Sequence, residues 1–475
     1  MNKNLGIIWL REDFRLQRNH ALSFATNNHE KVTALYIFKK NDFKKKREAQ
    51  LWWTYKSLKN FEKELNKKNI NLEFKVADTY EEVFKSILLK KNFSIYWNKV
   101  YKPNFLKYDD KLSKDLKKNI INFKIFKGNI LNEVDAVKKG DGTPYKVFTP
   151  FWKMAESIYL NQSFSKNLSI KTLKNKATFL KDKNKIEDIL PSKNWYKKFE
   201  KYWNPSEKEA LKVCDDFIKN KIFNYGDLRD IPGVEGTSKI SSYLSSGLIH
   251  VETIWEKCDL IKEKKKGYRK FINELGWREF SHSLINYFPE MLSQNLRKEF
   301  DNFPWVKNDD HFNTWKKGMT GYPIVDAGMR ELHETGWMHN RVRMITASFL
   351  VKHLRINWKE GEKYFRNSLL DFNEANNVAG WQWVSGCGAD AAPYFRIFNP
   401  ILQGEKFDKE GTYVKKWIPE LSKFPKEYIH KPWELNNNFN DFKLGKNYPP
   451  PIVDHKAARE SALDAFKKIK NKNKK

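Results

Sequence analysis

Residues 93–126, FSIYWNKVYKPNFLKYDDKLSKDLKKNIINFKIF, decide the first half of the fold. FSIYWNKVY (93–101) and INFKIF (121–126) are short runs rich in aromatic and β-branched residues, which read as buried strands. Between them Phe105–Lys118 carries apolar residues at helical spacing. A strand, a helix and a strand in so short a space form one unit of a parallel sheet. Working outward, GIIWL (6–10), VTALYIF (32–38) and INLEF (70–74) read as further buried strands, with helical spacing over Gln50–Asn66 and Thr79–Lys90. The expectation is a doubly wound α/β domain over residues 1–130. No GxGxxG follows the first strand, so the dinucleotide fingerprint of such sheets is missing.

Beyond this unit the pattern changes. DGTPYKVFTPFWK (141–153) has Gly and Pro punctuation around aromatics, and residues 161–194 are rich in lysine and asparagine. Residues 131–200 are therefore expected to be a connector, its later part exposed. Residues 201–465 read as helical nearly throughout, an all-α domain holding most of the 17 tryptophans. FKKIKNKNKK (466–475) reads as a disordered basic tail.

The composition narrows the class. No apolar run reaches the length of a membrane span, and the N-terminus lacks a cleavable signal pattern. The three cysteines, Cys214, Cys258 and Cys387, are widely spaced and suit reduced thiols in a cytoplasm. The histidines show no metal-ligand spacing, so no metal is expected. The net charge of +31 fits a lysine-coated surface, and it also fits a protein drawn to nucleic acid.

Four clusters carry chemistry. In EGTSKISSYLSSGLI (235–249), Thr237, Ser238 and Ser241 precede an apolar helical pattern, where hydroxyls and free amides cap a helix or cradle a diphosphate. In FINELGWREFSHSLI (271–285), Glu274, Trp277, Arg278 and Ser281 share one helical face. Glu274 and Arg278 are spaced for an exposed salt bridge. Against that reading stand the tryptophan in the polar stripe and Gly276, which weakens the helix with no gain visible in the sequence. A carboxylate beside a flat ring also suits a pair of pyrimidines. In GYPIVDAGMRELHETGWMHNRVRMITASFLVKHL (321–354), two helices meet at a turn, and Asn340, Arg343 and Met344 share a face of the second. Last, LLDFNEANNVAGWQWVSGCGADAAPYFRIFNP (369–400) groups Asp371, Asn373, Asn376 and Asn377 with Trp381 and Trp383 among small residues. That is either a buried corner with satisfied amides or a wall that approaches a flat ligand closely.

Residues 369–400 resemble the flavin-binding signature of the photolyase/cryptochrome family, and the rest of the chain is similar to that family in order, most densely over 225–433. The resemblance implies light-driven DNA repair with reduced FAD, by a class I enzyme acting on cyclobutane pyrimidine dimers (CPDs). The rivals are a cryptochrome photoreceptor without repair and a (6-4) photolyase. It implies flavin contacts from Tyr225, Thr237, Ser238, Lys239, Ile240, Ser241, Phe271, Arg278, Arg343, Asp371, Phe372, Asn373 and Asn377, the last beside the reactive N5 edge. It implies lesion or DNA contacts from Arg229, Glu274, Trp277, Arg278, Ser281, Asn340, Arg341, Met344, Trp383 and Gln403. Glu274 would steady the dimer radical anion, and Trp305, Trp358 and Trp381 match an electron relay. Asn340 and Met344 resemble CPD enzymes, whereas the (6-4) branch carries histidines there. Asn373 departs from an aspartate common in CPD photolyases. LREDFRLQRNHAL (10–22) resembles the family's opening, with Arg11, Asp13 and Arg15 expected to brace the domain junction. A second antenna chromophore, methenyltetrahydrofolate or a deazaflavin, is left open: Asn104 is retained, but Phe105 replaces the glutamate of folate-binding members. A cytoplasmic monomer that binds UV-damaged DNA is expected.

Overall fold

The computed structural model describes residues 2–41, 48–162, 168–180, 184–190, 194–261, 263, 266–391, 395–435 and 442–472. Five strands, β1 (Asn2–Leu10), β2 (His29–Lys39), β3 (Asn71–Ala77), β4 (Phe93–Asn98) and β5 (Asn122–Phe126), form one parallel sheet in the order β3-β2-β1-β4-β5. β1 pairs with β2 on one side (Ile8 opposite Ala34) and β4 on the other (Ile7 opposite Ile95). The strand runs read from the sequence are those observed; β1, β2 and β4 are buried along most of their length, as strands covered on both faces should be, whereas the edge strand β5, read as buried, has no buried residue.

Helices α1 (His20–Asn28) and α2 (Glu48–Asn66) cover one face. Helices α3 (Tyr80–Leu88) and α4 (Pro103–Lys118) cover the other, where Val83, Phe84, Ile87, Leu112 and Leu116 are buried against Ile7, Trp9 and Trp97. α1 lies inside the LREDFRLQRNHAL stretch and its continuation, capped by the Asn19 side chain.

Two expectations for the middle of the chain are corrected. Residues 148–160 form a helix, α5 (Phe148–Leu160), that packs on the long α6 (Lys266–Tyr287) of the helical body. The described part of 161–194 is exposed at about half of its positions, as expected, but it is anchored along β3 rather than running free. Asn69 and Asn71 donate side-chain amides to the carbonyls of Leu173 (2.7 Å) and Ala177 (2.8 Å). The Glu73 carboxylate accepts the amides of Phe179 and Leu180. Leu173, Ile186 and Ile189 are buried. The segment thus covers an edge strand that would otherwise present unpaired backbone groups.

In the helical body α7 (Pro323–Thr335) packs against α8 (Asn340–Ser348), and the site is carried on α6, α8, α9 (Trp358–Ser368) and α10 (Glu374–Ser385). α11 (His455–Lys472) closes it, and it is helical where a disordered tail was expected; residues 473–475 lie outside the described residues.

Of the three residues expected to brace the junction, only Arg15 crosses it, donating to the Gly247 carbonyl at 2.9 Å. Arg11 stays within the α/β domain, paired with Asp109 at 2.8 Å, and Asp13 accepts from Arg11 N and Asn98 Nδ2. Gly247 has φ +69°, and a Cβ there would lie 1.9 Å from the Glu12 carbonyl, so only glycine fits. Glu207 accepts the amides of Leu16 and Gln17, and Arg18 and Lys127 both pair with Glu252, tying the two bodies further.

Candidate active site

A cavity of about 540 Å³ opens between α6, α8 and α10. Its size and its mostly apolar wall with a few polar groups are those of a small-molecule or cofactor site. Glu274, Trp277, Arg278 and Ser281 all line it, as the shared helical face predicts. Gly276 has a structural purpose after all: a Cβ there would sit 2.5 Å from the Trp152 ring of α5. The salt bridge that the spacing of Glu274 and Arg278 suggests does not form. Glu274 pairs instead with Arg229, while Arg278 turns to Glu279 at 3.0 Å and to the Asn129 carbonyl. Burial lowers the Arg278 pKa; that of Arg229 rises despite burial, because Glu274 and Tyr225 stabilise its charge. Trp277 lies flat on Phe148, with centroids 3.8 Å apart and planes 7° apart.

Asn340, Arg343 and Met344 reach the same cavity from α8. His339, next in sequence, is turned into the helix end, where its Nδ1 accepts the Arg341 amide. Burial holds its pKa at about 4, so it is neutral at neutral pH. Arg341 is directed to Asp230 at 2.7 Å and over the Phe407 ring.

The third wall is polar. Asp371 Oδ2 accepts from the Ser241 hydroxyl (2.7 Å) and from Arg343 (2.8 Å), and Phe372 stands beside it in the wall. Among the described residues Asp371 Oδ1 is buried without a partner. A buried carboxylate oxygen left unpaired is costly, so this site calls for a donor such as a hydroxyl or N–H of a bound group. Trp337, which the sequence reading did not single out, donates to the Ser241 hydroxyl at 3.3 Å.

Asn373 caps α10, its Oδ1 accepting the Asn376 amide, and its Nδ2 faces His282 Nε2 at 3.4 Å. Burial holds the His282 pKa at about 3. With its Nδ1 toward the Tyr101 carbonyl, His282 presents a lone pair at Nε2. An amide, which can donate to that lone pair, fits this neighbour. Asn377 lines the cavity and donates through Nδ2 to Glu362 on α9.

The remaining expected residues stand outside the cavity wall. Tyr225 and Phe271 meet edge to face, centroids 5.5 Å apart, in the core beneath it. Ile240 is buried and Thr237 and Ser238 are half-buried on the turn before Ser241. Lys239 adopts φ +53° in that turn and pairs with Glu235. Gln403 is half-buried on the short helix Pro400–Phe407.

Trp381 is buried against Phe365 and Trp315, at 5.0 and 6.4 Å between centroids, and Gly361 leaves room for its ring. Trp383 is half-buried, with its indole N–H donated to the Asp390 carbonyl. The two rings differ in surroundings, as positions two apart on a helix should, yet both reach the cavity wall. Trp358 is buried and bonded to Asn295 at 2.8 Å, and Trp305 packs on Phe303. In the antenna region Asn104 is exposed, and Phe105 lies beneath the Arg11 guanidinium.

Fold and site define a two-body protein with a cofactor-sized cavity in its helical part. Residues 6–169 match the family profile described as DNA photolyase, and residues 271–468 match the FAD binding domain of DNA photolyase. Over 98% of both chains it is 40% identical to the deoxyribodipyrimidine photo-lyase of Agrobacterium fabrum. It resembles the crystal structure of a bacterial class III photolyase from Agrobacterium tumefaciens, at 38% identity and TM-score 0.92 over 99% of this chain and 98% of the other. It also resembles a Synechocystis cryptochrome, at 26% identity and TM-score 0.88 over 98% of this chain and all of that one. The chain belongs to the DNA photolyase family. It is a flavoprotein of DNA repair, with FAD as its cofactor. The Agrobacterium tumefaciens crystal structure is of a class III enzyme, and the similarity does not divide class I from class III for this chain.

Proposed function

We propose that the protein is specific for cyclobutane pyrimidine dimers and opens them in a cavity shared by flavin and lesion. Its enzyme activity is that of a deoxyribodipyrimidine photo-lyase. The observation that supports the lesion choice most is the convergence of Glu274, Trp277, Asn340, Met344 and Trp383 on one cavity with Asp371, Arg343 and Asn377.

FAD, once bound and reduced, would supply the light-driven electron chemistry that opens the dimer. The chain's residues do the rest. Ser241, Arg343 and Asp371 hold the cofactor, with the unpaired Asp371 Oδ1 taking a donor from it. Trp277 and Trp383 stack on the extruded pyrimidines, whose weakened pairing lowers the cost of leaving the duplex. Glu274 bonds the pyrimidine edge and stabilises it as charge arrives. Arg229, Arg341 and Gln403 lie toward the DNA backbone, where the basic surface adds affinity without sequence preference. Trp305, Trp358 and Trp381 serve only to re-reduce an oxidised flavin.

A (6-4) lesion needs an acid, and the nearby histidines do not supply one: His339 and His282 are buried and neutral. The partner is UV-damaged DNA, met in the cytoplasm. No helix among the described residues is long and apolar enough to cross a membrane. Lesion choice is tested by illuminating the reduced holoprotein with two oligonucleotides, one holding a thymine dimer and one a (6-4) product. Repair of the dimer alone is expected. Repair of the (6-4) product, or binding of the dimer without light-dependent repair, would move the protein to the other branches.

A further inference from the structure

Asn377 has its amide orientation dictated from behind. Its Nδ2 lies 2.9 Å from Glu362 Oε1 and 3.2 Å from the Glu362 carbonyl. Both are acceptors, so the end of the amide turned to α9 is the donor end. The opposite orientation would set the amide oxygen against a carboxylate and a carbonyl, neither of which can donate. Chemistry alone therefore fixes which end of the amide is which. The end left over is Oδ1, an acceptor, on a residue that lines the cavity.

Glu362 is itself held in place. It is 5% exposed and takes Arg366, one turn further along α9, at 2.8 and 3.0 Å. Burial pushes its carboxyl pKa up, while Arg366 and the Asn377 amide favour the ionised form. It lies behind the cavity wall rather than in it, and at the i, i+4 spacing of an ordinary surface ion pair. That spacing hides it in the sequence.

We propose that Glu362 is a positioning residue whose carboxylate locks Asn377 with only its amide oxygen toward the cofactor. The proposal rests on the reading that Asn377 faces the flavin N5 edge. A reduced isoalloxazine carries a hydrogen at N5 and an oxidised one a lone pair, so a fixed acceptor favours the reduced form. The device sets the flavin's oxidation state from a residue that touches neither flavin nor DNA.

The test measures the oxidised-to-reduced ratio of bound FAD at a fixed ambient potential in five FAD-loaded proteins: wild type, Glu362→Gln, Glu362→Leu, Asn377→Leu and the Glu362→Gln, Asn377→Leu double variant. Glutamine fills the same space but can donate as well as accept, so it no longer enforces the orientation. A shift toward oxidised flavin is expected, about threefold for Glu362→Gln and about tenfold for Glu362→Leu and Asn377→Leu, tenfold being the factor that ~1.4 kcal/mol carries. The Glu362→Gln, Asn377→Leu double variant should shift no further than Asn377→Leu alone, because the effect runs through that amide.

The sign separates positioning from simple charge. Loss of a nearby negative charge would favour the reduced flavin, the opposite direction. A shift toward reduced flavin in Glu362→Gln, no shift in it, or full additivity with Asn377→Leu would each overturn the proposal. If Asn377→Leu alone leaves the ratio unchanged, the placement of Asn377 at the flavin fails first. Should Glu362→Leu not fold, Glu362→Gln decides by the same criteria.

Discussion

Replacing Trp277 with alanine should weaken lesion binding much more than binding to intact duplex. A ring offers two faces, and Phe148 occupies one of them at 3.8 Å, nearly parallel. The other is left for the cavity that Trp277 lines. Base–aromatic stacking contributes about 1–3 kcal/mol by alanine substitution, which corresponds to a loss of roughly 5- to 150-fold in affinity. Phe148→Leu removes only the support behind the ring. An aromatic pair adds about 0.5–1.5 kcal/mol beyond its buried area, so that loss should be about 2- to 10-fold. Trp277→Phe should fall between wild type and Trp277→Ala. The assay is competition binding in the dark, at one salt concentration, with a thymine-dimer duplex and its undamaged counterpart. Affinity for the undamaged duplex should hardly change, because phosphate contacts come from elsewhere and are sequence-independent. Equal loss for both duplexes, or a larger loss in Phe148→Leu than in Trp277→Ala, would refute the two-face argument.

Three further outcomes are expected. Glu274→Ala should lower repair per bound lesion more than it lowers lesion affinity, since the carboxyl acts as charge reaches the pyrimidines; lost affinity with unchanged yield would make Glu274 an anchor for Arg229 and lesion alike. Trp381→Phe should block photoreduction of oxidised flavin yet spare repair once the flavin is reduced chemically, while Trp383→Ala should do the reverse. Photoreduction at the wild-type rate in Trp381→Phe would return Trp381 to core packing against Phe365 and Trp315. Finally, the fold should be acid-labile. Burial depresses the pKa of His20 and His339 to about 4 and of His282 and His353 to about 3. Unfolded chains take up these protons near pH 6.5 and the folded protein does not, so stability is complete above about 6.5 and falls as pH drops. At pH 5 each group costs about 2 kcal/mol, offset in part by Asp326, whose carboxyl pKa burial raises to about 6 so that it favours the folded state as pH falls. A thermal midpoint unchanged between pH 7 and pH 5 would contradict this.

Much of this architecture is legible in the sequence because burial on both faces leaves a continuous apolar signal. β1, β2 and β4 are found that way, and Trp9, Trp97 and Ile95 bear it out as core, while the edge strand β5 shows only through its aromatic and β-branched residues. The shared face of Glu274, Trp277, Arg278 and Ser281 follows from helical geometry alone. What the sequence hides is partner choice across the fold. Glu274 takes Arg229 rather than its helical neighbour Arg278, and Glu362 serves Asn377 while also pairing at i, i+4. Gly276 looks like a weak point until Trp152 is seen against it. The 161–194 segment looks solvated because it is anchored by hydrogen bonds to backbone and by only a few apolar side chains, which composition cannot register. The Pro and Gly before Phe148 conceal α5 because punctuation precedes a helix as readily as it marks a loop.

The central claim is that this cavity lets light and reduced FAD restore a pyrimidine dimer. Holoprotein with chemically reduced FAD is mixed, without oxygen, with excess oligonucleotide holding one thymine dimer, and the restored thymines are counted in the light and in the dark. The account predicts restoration only under illumination, with many dimers repaired per protein and no net oxidation of the flavin. Dimers that stay bound and unrepaired under light, with the flavin reduced throughout, would contradict it.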